Sequence, residues 1–230
     1  MVATRNDCPR SYDASKVKEL GKFWRRYGKV IMKYGRIPVS PESTGVGGNT
    51  YRAYGSFVDK EKKTTGAKQK GWTPSRIFQS WVNGKFKNLK LRHTNNFEKL
   101  HNAARESLVT YWRLRARKAK KVLPCFPYAS KLIDLHFKHL IWHPIVIGKG
   151  RREKLSKAVY QPLDKYSLIC LKKFNVTLKI DKNPKMGSVK SEKQYLHLQE
   201  EIRCICKAAR VPLFAFDQFA WNYRGQGNDG

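Results

Sequence analysis

Apolar residues recur along this chain mainly at intervals of three and four, the spacing of helices that bury one face. Val17, Leu20, Trp24, Tyr27, Ile31 and Tyr34 mark a first helix over residues 13–34, and its other face is basic. Over residues 35–71 the pattern dissolves into Pro, Ser, Gly, Thr and Lys, so a long loop is expected. Order resumes at Trp72-Thr73-Pro74, where Thr73 can cap and Pro74 can open a short helix carrying Ile77, Phe78, Trp81 and Val82 before Gly84 stops it. Residues 85–92 leave room for a short basic strand. Asn95 with Glu98 three residues on resembles a capping box, and Phe97, Leu100, Ala104, Leu108 and Tyr111 give a clear helical stripe behind it.

Residues 127–142 read as a central helix, buried on several sides by Ala129, Leu132, Ile133, Phe137, Leu140 and Ile141, with Lys131, Asp134 and Lys138 on a polar stripe. A loop over residues 143–161 and a helix over residues 162–174 follow, the latter carrying Leu163, Tyr166, Cys170 and Phe174 on one side. Val176, Leu178 and Ile180 alternate with Thr177 and Lys179 as a short strand would. Ser191 and Gln194 suit a capping box opening a helix with Tyr195, Leu198, Ile202, Ile205 and Ala209 on its stripe. Pro212 breaks it, and residues 213–223 supply an aromatic-rich last helix. The expected fold class is mostly α, with a long N-terminal loop and room for one short β pair. The organisation is a helical segment with a long basic loop over residues 1–95 and a helical core over residues 96–230, or one continuous domain.

Charge narrows the partners. Across 230 residues, 48 Lys+Arg against 17 Asp+Glu give a formal net charge of +31, and such self-repulsion is costly unless a polyanion relieves it. Nucleic acid is therefore the leading expected partner, although a membrane surface would also attract this charge. No apolar run approaches the roughly 20 residues that span a bilayer, and residues 1–31 lack a signal-peptide core, so a soluble cytoplasmic monomer is expected, nucleoid-associated if bacterial. Arg113, Arg115, Arg117, Lys118, Lys120 and Lys121 exceed what one helix dipole requires and are assigned to phosphate contact. Lys149, Arg151 and Arg152, in a Gly-Lys-Gly-Arg-Arg run, are assigned likewise.

Several constellations are weighed and set aside. Gly45-Val46-Gly47-Gly48 is followed by no Gly-Lys-Ser/Thr, so no nucleotide cofactor is expected. His136, His139 and His143 share helical spacing, but no carboxylate or cysteine converges on them, and no metal is expected. Asp59, Glu61, Asp181 and Glu192 do not cluster as a metal-dependent nuclease needs. The five cysteines are odd in number and form no CxxC pair, which argues against a disulfide framework and a zinc ribbon. They are expected to be reduced and structural.

Residues 123–168 carry the candidate chemistry. Ser130-Lys131-Leu132-Ile133-Asp134 and Gln161-Pro162-Leu163-Asp164 each follow a proline-marked helix start, so Lys131 and Asp164 are expected in first turns. Together with Leu123-Pro124, these segments resemble helix-hairpin-helix DNA glycosylases, nearest the 8-oxoguanine glycosylase/AP lyase group. In that family a lysine sits in a Thr-Lys-x-x-Asp-like run after a hairpin, and an aspartate follows in a Pro-x-Asp run. The spacing here, 164 − 131 = 33 positions, is closer to the archaeal branch. Cys125, Phe126 and Pro127 stand where the family hairpin has glycines.

The resemblance implies a glycosylase that binds double-stranded DNA, flips out a damaged or hypermodified base and cleaves its N-glycosidic bond, with or without AP lyase activity. It gives catalytic roles to Lys131 and Asp164. An ionised carboxylate stabilises the cationic sugar, and a neutral amine attacks C1′ to form a Schiff base. The extruded base needs aromatic surfaces, for which Phe126, Tyr128 and Trp221 are the leading candidates, with Trp72 and Phe214 beside them. The departures from the family hairpin point toward bulky modified bases such as those phages use to mask DNA, and hence toward antiviral defence. Two other readings stand beside this one. The chain can be a non-enzymatic nucleic-acid-binding protein, phage-encoded or ribosome-associated, and Lys131 with Asp134 and Lys138 can be a solvated, ion-paired helix face.

Overall fold

In the computed structural model the described residues are 8, 12–34, 74–86, 96–116, 126–142 and 149–224. They divide into two units interleaved in sequence: one drawn from Met1–Ile37 and Val159–Gly230, the other from Pro38–Ala158. Helices dominate both, and no described residue lies in a strand. No described helix is long and apolar enough to cross a membrane.

In the first unit, α1 (Ala14–Tyr34) packs against α6 (Lys165–Phe174), α7 (Glu192–Ala208) and α8 (Phe214–Arg224). Asp13 opens α1 by accepting from the backbone N–H groups of Ser15 and Lys16, at 2.8 and 3.2 Å, while its own N–H donates to the carbonyl of Phe174. Leu20 and Phe23 reach the core, where Phe23 meets Phe219 edge-on at 5.4 Å and Trp24 meets Phe214 at 5.3 Å. Gly28 makes room for that indole, because a Cβ there would stand 2.8 Å from the Trp24 ring. Ser191 caps α7 as its spacing with Gln194 predicts, accepting from the Gln194 N–H at 3.1 Å.

The strand expected at Val176-Thr177-Leu178 is absent. Asn175 ends α6, and its side-chain oxygen accepts from both the N–H and the hydroxyl of Thr177, turning the chain before it can extend. Val176 is left 81% exposed. At its far end α7 closes with two bonds, Arg210 N–H to the Lys207 carbonyl and Val211 N–H to the Cys206 carbonyl, which together form a Schellman motif. The motif needs a left-handed residue, and Arg210 occupies it at φ 56° where glycine would be the less strained choice.

In the second unit, α3 (Phe97–Ala116) packs between α2 (Pro74–Trp81) and α4 (Phe126–Trp142), and α4 also packs on α5 (Lys149–Ala158). The cap of α3 is Asn96, one residue beyond the expected Asn95, and accepts from the Lys99 N–H at 3.1 Å. The helix expected to stop at Gly84 instead widens into a π turn over Val82–Phe86. That turn carries Phe86 back into the core, against Trp81 at 5.3 Å and Phe137 at 5.8 Å, so no basic strand begins at Lys85. Helix α5 lies within residues 143–161, the span of the expected loop. Leu155 is the one large apolar residue in the sequence of Lys149–Ala158, which leaves almost no apolar period to read.

The cysteines depart from expectation. Cys8 and Cys204 form a disulfide with a Cα–Cα separation of 5.5 Å, across 196 positions of sequence. Cys170 and Cys206 are buried and free. Burial pushes the Cys170 thiol up to about 12, and Cys206 is also raised, again first by burial. Native alkylation near neutral pH is therefore expected to leave both unmodified, and non-reducing peptide mass spectrometry should recover Cys8 linked to Cys204. Labelling of Cys170 in the folded protein would contradict this packing.

Candidate functional site

Lys131 lies in the second turn of α4, not the first, because the helix already starts at Phe126. Around it the chain is buried without interruption from Ala129 to Ile133, and Lys131 itself is 9% exposed. Asp134, one turn further on, is fully buried. The solvated stripe of Lys131, Asp134 and Lys138 is thus corrected: only Lys138 is partly exposed. Asp134 meets His101 of α3, whose Nε2 lies 2.9 Å from its Oδ1, with both side chains fully buried. An ionised carboxylate only accepts, so with Asp134 ionised the hydrogen of this contact is on Nε2. The sequence held a signal for this pair. His101 lies four residues after Phe97 and three before Ala104, on the stripe α3 buries.

Asp164 is the N-cap of α6 rather than a residue of its first turn. Its Oδ1 accepts from the N–H groups of Tyr166 and Ser167, each at 3.0 Å, and its own N–H donates to Ser167 Oγ at 2.7 Å. This reciprocal box, at the positive end of a ten-residue helix, favours the ionised carboxylate and leaves it 7% exposed. The approach to Asp164 is fixed from α7. Gln199 accepts from the Gln161 N–H at 2.8 Å and donates to the Gln161 carbonyl at 2.7 Å, standing in for a strand neighbour. Gln199 was also legible in principle, since it sits between Tyr195 and Ile202 on the buried stripe.

Beside the cap is an aromatic pair. Trp221 of α8 is 39% exposed, and its ring lies 4.9 Å from that of Tyr166 with a 56° tilt. Thus Asp164, Tyr166, Ser167 and Trp221 belong to one unit, while Lys131, Phe126 and Tyr128 belong to the other. Phe126 and Tyr128 are half-buried in the first turn of α4, with the Arg105 guanidinium 4.5 Å from the Phe126 ring. Phe214 is core and offers no face to a base. Trp72 lies outside the described residues.

Of the expected phosphate contacts, Arg113 and Arg115 are exposed at the end of α3, where Arg115 stands 5.3 Å from the Tyr111 ring. Arg117, Lys118, Lys120 and Lys121 lie outside the described residues. Lys149, Arg151 and Arg152 are positions of helix α5 and not of the expected loop. Among the described residues no group of three His, Cys, Asp or Glu side chains could hold a metal. His136 sits in the core, edge-on to Phe86 at 4.3 Å. Comparison with family models, with curated proteins and with solved structures finds no match to this chain.

Proposed function

We propose that this protein is a DNA glycosylase of the helix-hairpin-helix kind, acting on a damaged or hypermodified base with Lys131 as nucleophile and Asp164 as the stabilising carboxylate. The observation that carries the reading is the burial of Lys131. A lysine that only solvates a helix face keeps its amine in water, whereas Lys131 is 9% exposed inside a run that is buried from Ala129 to Asp134. Asp164 adds an anion held rigid by two N–H donors, and Trp221 with Tyr166 adds an accessible aromatic surface near it.

In the proposed reaction the neutral Lys131 amine attacks C1′ and the N-glycosidic bond breaks. The base leaves with the bonding electron pair and takes up a proton. Asp164 lowers the cost of positive charge on the sugar as the base departs. Ring opening gives a protonated Schiff base, from which loss of a 2′ proton expels the 3′ phosphate.

Borohydride trapping on duplexes carrying 8-oxoguanine or modified cytosines tests the reading. A covalent protein–DNA adduct is expected with at least one such base, and the departures at Cys125-Phe126-Pro127 favour the bulky ones. Tight DNA binding with neither trapping nor base release on any of them would leave the non-enzymatic binding protein in its place.

A further inference from the structure

Helix α1 turns a row of cations outward. Lys18, Lys22, Arg25 and Lys29 follow one another at intervals of four, three and four residues, all exposed, along about 16 Å of helix. Beside this row a cleft of about 720 Å³ is lined by Lys18 and Arg25 from α1 and by Lys207 and Arg210 from the end of α7, with no Asp or Glu in its wall among the described residues. Gly21 lines the cleft between the two elements. A Cβ there would stand 3.4 Å from the Ala209 carbonyl oxygen and 3.6 Å from an Arg25 guanidinium nitrogen, so the end of α7 and the Arg25 side chain both lie against bare backbone.

Two observations say that these cations face a ligand. Among the described residues none of Lys18, Lys22, Arg25 and Lys29 has a carboxylate within ion-pair distance, so these like charges lie along one face without a direct partner. The second is Arg210, which holds a left-handed conformation at a helix terminus where glycine closes the same two hydrogen bonds without strain. The backbone asks for glycine and the chain supplies an arginine at the cleft. A row of four charges also outreaches a single phosphate, since one strand of duplex presents a charge about every 3.4 Å along the axis.

We propose that the α1 row and the cleft at Arg210 bind the phosphodiester backbone of duplex DNA, as a contact that takes no part in the chemistry of Lys131 and Asp164. That the polyanion is DNA rests on the glycosylase reading; that the surface takes a phosphate backbone rests on the cations alone. The test measures affinity of the full chain for a short unmodified duplex as a function of salt, with melting temperature recorded for each variant. Arg210→Gly is expected to raise the melting temperature, weaken binding several-fold and reduce the salt slope by about one unit, a combination that a purely structural arginine cannot give. Arg25→Gln should lose the same slope at unchanged melting temperature.

Wild-type affinity and slope in both variants would overturn the proposal, as would a slope loss seen only with duplex RNA. The glycosylase reading fails separately. Absence of both trapping and base release on every modified base, with the slope loss intact in Arg210→Gly and Arg25→Gln, keeps this surface and removes the enzyme.

Discussion

Asp164→Asn is expected to abolish base release while leaving the protein folded and DNA affinity intact or slightly improved. Asparagine is as good an N-cap as aspartate, so its side-chain oxygen can keep both bonds from Tyr166 and Ser167. What disappears is the charge, which at a helix terminus contributes about 0.3–1 kcal/mol to stability. Opposite a cationic sugar the same charge matters far more; loss of one electrostatic stabiliser of a transition state typically costs about 10²–10³ in rate. Base release and thermal melting, measured on the same preparation, therefore separate catalysis from capping. Lys131→Gln completes the assignment by removing borohydride trapping and strand cleavage. Retained base release in that variant would identify water as the attacking group, and full activity in Asp164→Asn would overturn the enzyme reading.

The second large effect is structural. His101→Ala or Asp134→Ala leaves one fully buried polar partner without the other, and each is expected to destabilise the protein by about 3–5 kcal/mol. Urea denaturation would read this as a lowered midpoint. The two losses should not add, since either variant already breaks the 2.9 Å contact, and the double variant should cost little more than the worse single one. A loss under about 1 kcal/mol in both single variants would mean that water reaches the vacated site. The pair locks α3 to α4 one turn beyond Lys131, so its loss should also loosen the segment that carries the proposed nucleophile.

Much of the helical frame was legible, because the period of burial is a local property. The stripe from Val17 to Tyr34 predicted α1, and Ser191 with Gln194 predicted the start of α7. What failed depended on contacts that a one-dimensional pattern does not contain. Lys131 and Asp134 look like a polar stripe only if one face of α4 meets water, and packing against both α3 and α5 removes that face. Gly84 reads as a stop until Phe86 is known to belong to the core. Val176 reads as a strand residue until the Asn175 side chain bends the chain. No spacing rule brings Cys8 to Cys204 across the whole length of the sequence. At the candidate site, the identities of Lys131 and Asp164 came from local runs, but Ser167, Gln199 and His101, which hold the segments in place, were visible only as polar residues on apolar stripes.

The interleaving of the two units sets an order of events during synthesis. Helices α2 to α5 are contiguous in the chain, so their unit has all its parts once residue 158 has left the ribosome. Helix α1 emerges before α2 to α5 and yet packs on α6, α7 and α8, which are made after them. Its apolar face, with Leu20, Phe23 and Trp24, must wait through the synthesis of everything between. Closing so long a loop makes that step slow relative to the local folding of the other unit. The strongly basic outer face of α1 then has a use before the protein is complete, because like charge keeps waiting chains from associating through their uncovered apolar sides.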